Sequence, residues 1–292
     1  KQLNARDHRG FQMNHFVKTS VATAVVLGSA LFAVSASAGI ANTKHNLGAT
    51  NTTAGLNKTA DTGEICIFCH TPHGGDTSAP VPLWNKQLTN SVFSTYDQLG
   101  TSTLDAGVLN VGSVSLACLT CHDGTQAIDN IINAPGSGGY NATGGGDNGL
   151  DWTWNSDRSL DANGIFKAGQ IVNIGTDLTN DHPISVQYGG GGVSAGVTST
   201  NDEDFVTPVE ITGPRWYVDN TYTGSVGSFD KWDFKLYTRT PGDAANTFQN
   251  TPTSDATGAQ PFVECGSCHD PHFETTTFLR MDGTVDGVGR SE

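Results

Sequence analysis

The chain has 292 residues, of which 36% are hydrophobic, 15% are charged and 36 are glycine. That is little aliphatic material for one large side-chain core, so something other than side chains is expected to fill part of the interior. The net charge is −14; residues 1–38 hold four basic side chains and one acidic one, which leaves −17 on the remainder. Such a surface excludes nucleic acid, whose phosphates require a basic footprint, and favours cationic partners or bound cations.

In chain order, residues 1–12 precede Met13 and read as an upstream extension outside the mature protein. Residues 13–38 read as a secretory signal peptide: a basic start ending at Lys18, an apolar run from Val21 to Val34, and an Ala36-Ser37-Ala38 exit. The run is shorter than the ~20 residues of a spanning helix, and no cysteine stands at the cut. The expectation is export after cleavage at Ala38, with no lipid anchor and no membrane span in the mature chain. The product would be extracellular or surface-bound, alternatively periplasmic, and would comprise residues 39–292 as one domain.

That domain opens on a polar, Asn/Thr-rich arm, residues 39–63, containing His45. Two cysteine-bearing units follow, at roughly 64–90 and 114–132, and then a glycine-rich loop from Pro135 to Gly146, expected to be exposed. His182 lies in Asn180-Asp-His-Pro-Ile, where the proline favours an extended backbone before it. Gly189 to Gly192 read as a flexible tetraglycine. Segments 205–211, 215–218 and 234–238 read as short strands joined by Gly/Pro turns, and the last cysteine pair follows at 265. The tryptophans and tyrosines are expected to be packing residues. The expected fold class is therefore mostly irregular coil, with short helices at the cysteine motifs and a few short β-strands.

All six cysteines fall in three pairs with two residues between, and histidine follows each pair: Cys66-Ile-Phe-Cys69-His70, Cys118-Leu-Thr-Cys121-His122 and Cys265-Gly-Ser-Cys268-His269. This is the attachment sequence of haem c. Two thiols one helical turn apart can add to the two vinyl groups on one porphyrin edge, and the adjacent imidazole then meets the iron from one face. A thioredoxin-type redox pair or a zinc site needs no histidine directly after the second cysteine, and three pairs do not divide into four-ligand zinc sites. Covalent haem c at all three motifs is expected, with His70, His122 and His269 as proximal iron ligands.

For the opposite axial position, methionine cannot serve generally, because the only two are Met13, in the leader, and Met281. The remaining histidines of the mature chain, His45, His73, His182 and His272, are the distal candidates. His73 and His272 repeat one arrangement, Cys-His-Thr-Pro-His and Cys-His-Asp-Pro-His. Three residues passing through a proline do not wrap round a porphyrin, so each second histidine is expected to reach a different haem from its neighbour. Four distal candidates face three motifs. The expectation is that the sequence stops before a fourth motif and a fourth haem; the alternative is that the surplus histidine ligates a haem in a neighbouring subunit.

His45-Asn-Leu47, the Cys66–His73 block, Asn180-Asp-His-Pro-Ile-Ser185 and Val263-Glu-Cys-Gly-Ser-Cys-His-Asp-Pro-His272 together resemble the multihaem cytochromes of metal-reducing bacteria, and most closely the tetrahaem, OmcE-like group that polymerises into extracellular nanowires. The resemblance implies a fold organised around stacked bis-histidine haems, little regular secondary structure, and a distal histidine donated across a subunit interface. Carried over by position, His45, His73, His182 and His272 would be the distal ligands. The sequence departs from the group in lacking a fourth Cys-x-x-Cys-His after its Phe-Leu-Arg segment.

The function expected is electron transfer rather than catalysis, since an iron capped by histidine on both faces offers no open position to a substrate. The leading expectation is a secreted multihaem cytochrome of extracellular electron transfer, self-associating into a filament and exchanging electrons with other redox cytochromes or extracellular acceptors. The alternatives are a discrete monomeric carrier and a multihaem reductase.

Overall fold

The computed structural model describes residues 39–280 apart from positions 105, 137, 145–148, 156–157, 195, 212–214, 220–228, 230, 241–257 and 276. The leader and Met281, on which two of the expectations fall, lie outside the described residues.

Regular structure is sparse and short. A five-stranded antiparallel sheet has the order β1-β5-β4-β3-β2, formed by β1 (Val186–Gln187), β2 (Val209–Ile211), β3 (Arg215–Val218), β4 (Phe234–Arg239) and β5 (Gln260–Val263). Both faces of its central strands are covered: Trp216 stands opposite Leu236, and Tyr237 opposite Phe262, and all four are buried, as is Tyr217 on the face opposite Trp216. Strands β2 and β3 fall within two of the segments read as strands, and β4 extends the third by one residue, to Arg239. Strands β1 and β5 were not anticipated, and β5 carries Pro261, a residue that argues against a strand unless the ladder can spare its N–H.

The helices mark the cysteine motifs. Cys66–Phe68 form a single 3-10 turn, Ser113–His122 form the ten-residue helix α1, and Cys265–Cys268 form the one-turn helix α2. Spacing of three puts Cys118 and Cys121 on one face of α1, and Leu116 and Leu119 are buried. Helix α2 begins on Glu264, whose carboxylate and backbone N–H exchange hydrogen bonds with Ser267 in a capping box. Among the described residues no helix is long and apolar enough to cross a membrane.

Among the described residues there are three small clusters instead of one aliphatic centre. The first gathers Ile67, Phe68, Ile128, Ile131, Trp154, Leu160 and Phe166, with Cys69 and Cys121 packed at its rim. The second holds Val111, Leu116, Leu119, Leu178 and Ile184, with Cys265 against it. The third lies on the sheet, around Tyr188, Val193, Trp216 and Leu236. Two of the three clusters thus end on motif cysteines.

Two segments differ from the sequence reading. The polar arm at 39–63 is folded in: Asn46, Asn51 and Thr59 are buried, and backbone bonds join Ala49 to Thr62 and Thr59 to Leu47. Short polar side chains that cap their own turns can be buried at little cost. The tetraglycine is a shaped turn, not a free hinge. Gly189 to Gly192 all have positive φ (57°, 71°, 88° and 87°), and a Cβ on Gly189 would lie 2.5 Å from Thr200. Only glycine adopts such a run without strain.

Candidate functional site

Each motif histidine is gripped by a returning segment of chain. In the first motif, the Thr71 N–H bonds to the Leu83 carbonyl and the Asn85 N–H to the Cys69 carbonyl. The third motif repeats this, with the Asp270 N–H bonded to the Phe278 carbonyl and the Arg280 N–H to the Cys268 carbonyl. At the centre of each return stands a non-glycine residue of positive φ, Leu83 at 54° and Phe278 at 61°. The repeat seen as Cys-His-x-Pro-His thus extends to 82–85 and 277–280, which share no side chain in register. In the second motif, Ile174 and Gly175 donate to the His122 carbonyl.

These returns fix the imidazoles. Nδ1 of His70 lies 2.8 Å from the Pro82 carbonyl, Nδ1 of His122 lies 2.8 Å from that of Val172, and Nδ1 of His269 lies 2.8 Å from that of Thr277. A carbonyl only accepts, so in all three rings Nδ1 carries the proton and Nε2 is left with its lone pair. That is the tautomer and second-shell contact a metal-bound histidine uses. The Pro271 backbone adjoins the His45 ring.

Opposite each motif histidine stands a second ring. The His70 and His272 centroids are 6.3 Å apart with planes at 16°, those of His269 and His182 are 6.2 Å apart at 23°, and those of His122 and His45 are 6.4 Å apart at 68°. Two nitrogen–metal bonds of about 2 Å, added to two imidazole radii of about 1.1 Å, separate such centroids by about 6.2 Å. Direct stacking would bring them closer, as it does His45 and Phe278, at 4.3 Å and 12°. Each spacing therefore fits one metal ion between two imidazoles.

Of the distal candidates, His45, His182 and His272 each face a motif histidine, and His272 faces His70 rather than its neighbour His269. His73 faces none: it is exposed, and its carbonyl accepts from Thr71 Oγ1 and Asn133 Nδ2. Among the described residues no group of three or more His, Cys, Asp or Glu is placed to hold a metal.

The electrostatics favour the neutral ring at His45 and His122 and the charged one at His272. Burial, with the facing His122, pushes His45 down to about 4, and burial lowers His122 as well. A hydrogen bond from its ring to Asp270 raises the more exposed His272. None of the six cysteines is in a disulfide. Burial pushes the Cys69 thiol up to about 12 and also raises Cys121 and Cys268, whereas the hydrogen bond with Cys118 lowers Cys265. The cysteines also link the motifs. Cys69 neighbours Cys121, and the Cys118 thiol hydrogen-bonds that of Cys265, which raises Cys118.

Several contributors left no mark in the sequence. The carbonyls of Pro82, Val172 and Thr277 are backbone groups. Glu264, fully buried, is bonded to Ser115, Ser185 and Arg239 beside Cys265, and only its place before the motif hinted at a capping role. Fully buried Lys86 sits in Trp-Asn-Lys-Gln, which reads as surface. Compared with known proteins, the chain matches no family model, and no curated sequence matches it either.

Proposed function

We propose that the protein is a multihaem c-type cytochrome that carries electrons, with one haem c at each Cys-x-x-Cys-His motif and both axial positions of each iron held by histidine. The observation that carries this reading is the set of three imidazole pairs at 6.2–6.4 Å, each built on a motif histidine whose Nδ1 is tied to the backbone. Bound haem would supply a one-electron couple at each site. The chain's part is to tether it through Cys66 and Cys69, Cys118 and Cys121, and Cys265 and Cys268. The motif histidines, each with Nδ1 on a backbone carbonyl, and the facing His272, His45 and His182 would hold the irons. Full occupation by histidine leaves no iron open to substrate, which argues for transfer over catalysis and against a reductase.

The internal repeat favours the filament over the monomeric carrier. The third block donates His272 to the first site. Its counterpart, His73, sits on the first block with no site to serve among the described residues. Leu83, the counterpart of Phe278 that covers His45, is 52% exposed. A repeat that is satisfied at one end and open at the other suits head-to-tail association, with His73 offered to a haem of a neighbouring subunit. Export to the cell surface and delivery of electrons to other cytochromes or to extracellular acceptors complete the proposal.

The test is redox titration of the purified protein followed by its visible spectrum, together with negative-stain microscopy of the secreted fraction. Reversible low-spin c-type spectra with filaments that His73→Ala abolishes support the reading. Reversible spectra from a permanent monomer replace the filament with the discrete carrier.

A further inference from the structure

We infer that Lys86 is a buried fixed charge that raises the reduction potentials of the first and second sites, at Cys66–His70 and Cys118–His122. The inference rests on the haem reading proposed above and adds to it a residue outside the motifs.

Lys86 is 0% exposed. Its Nζ stands 3.1 Å from the Ala127 carbonyl, 2.8 Å from that of Ile128 and 2.9 Å from that of Asn130. Three acceptors match the three hydrogens of an ammonium. A neutral amine has only two hydrogens and would aim its lone pair at a carbonyl oxygen. The geometry therefore holds the charged form.

Lys86 forms no ion pair among the described residues. The nearby Asp129 uses its Oδ2 to accept the N–H groups of Leu150 and Trp152, at 3.1 and 3.0 Å, and its Oδ1 is buried without a hydrogen-bond partner. Asp123, next to His122, is engaged by Thr89, Ser91 and Thr125. At the third site, by contrast, Arg239 and Arg280 are each paired with a carboxylate, Glu264 and Asp270, at 3.2 Å.

Position decides which sites feel the ammonium. Asn85, the residue before Lys86, is bonded to the Cys69 carbonyl, and the three acceptors lie just after the second motif. Cys69 and Cys121 pack on one apolar cluster that contains Ile128, the residue whose carbonyl accepts from the ammonium at 2.8 Å. Reduction adds one electron to an iron and lowers the positive charge of its site by one. A cation nearby in a poorly polarisable interior favours that change. Because Lys86 is buried, salt should screen its effect only weakly.

The experiment is spectroelectrochemical titration of the three-haem protein and of three variants, Lys86→Gln, Lys86→Arg and Asp129→Asn. Two of the three potentials should fall in Lys86→Gln, by the same amount at low and high salt, and stay in place in Lys86→Arg. The same two should rise in Asp129→Asn, which removes a carboxylate that Lys86 acts on while keeping an acceptor for both N–H groups; this arm reads the field even if Lys86→Gln fails to fold. Haem-loaded protein in which neither Lys86→Gln nor Asp129→Asn moves those two potentials overturns the role of Lys86 alone. A wild-type protein without haem overturns the reading beneath it.

Discussion

Replacing His272 with alanine should convert one iron in three, that of the first site, from low spin to high spin. The structure supplies the magnitude. His272 is the ring facing His70, and the other two pairs use different histidines, so the count is one site per chain. The fold should survive. The His272 side chain is 49% exposed, and its one polar contact is with Asp270, which keeps Arg280 at 3.2 Å. An exposed pair of this kind contributes about 0–1 kcal/mol. The assay is spin quantitation of the ferric protein by electron paramagnetic resonance, with added imidazole to refill the vacated position and His73→Ala as the comparison in the monomeric state. The expected result is one third of the iron high-spin, returned to low spin by imidazole, and no high-spin iron in His73→Ala. High-spin iron in His73→Ala with none in His272→Ala would refute the pairing and the argument from ring spacing.

Other consequences follow from the same geometry. The imidazole planes cross at 68° in the second site but at 16° and 23° in the others, and near-parallel planes split the iron orbitals more strongly than crossed ones. The wild-type ferric spectrum should therefore hold two low-spin classes in a ratio of about one to two; a single class would contradict the ring orientations. Burial raises Glu264 from 4.5 to about 7 against the pull of Arg239 and the two serines. A folded value above the unfolded one means a contribution fully present below about 4.5 and lost as pH rises through about 7, amounting to at most about 3 kcal/mol. Urea denaturation from about pH 4.5 to 8 should show this decline in wild type and a flatter profile in Glu264→Gln; parallel profiles would count against it. Gly191→Ala places a Cβ at φ 88° and 2.7 Å from Gln187, and should cost about 1–3 kcal/mol in the same assay. An unchanged midpoint would show that the turn is the free hinge its sequence suggests.

The three Cys-x-x-Cys-His motifs could be read directly, because their thiols and imidazole are adjacent in sequence. The partners opposite them could not be assigned. His272 reaches His70 from 202 residues away, and nothing local to either records it. Proline after the motif excluded service to the same iron, which narrowed the choice without making it. The returns at 82–85 and 277–280 are alike in backbone and unlike in side chain, Pro-Leu-Trp-Asn against Thr-Phe-Leu-Arg, so the grip on each imidazole was invisible to a reading by residue type. Strands β2, β3 and β4 were legible as short segments joined by Gly/Pro turns; β1, two residues long, and β5, with its proline, carry no such signal. Lys86 was hidden for a different reason: charge argues for the surface unless three carbonyls converge on it, and only the folded chain brings them together.

The account depends on thioether-bound haem at all three motifs, and the most direct test is the intact mass of the purified protein made in a host that matures c-type cytochromes. The predicted result is the polypeptide mass plus three haems, with no free thiol titratable after denaturation. A mass equal to the bare polypeptide, with six titratable thiols and no Soret band, would contradict it.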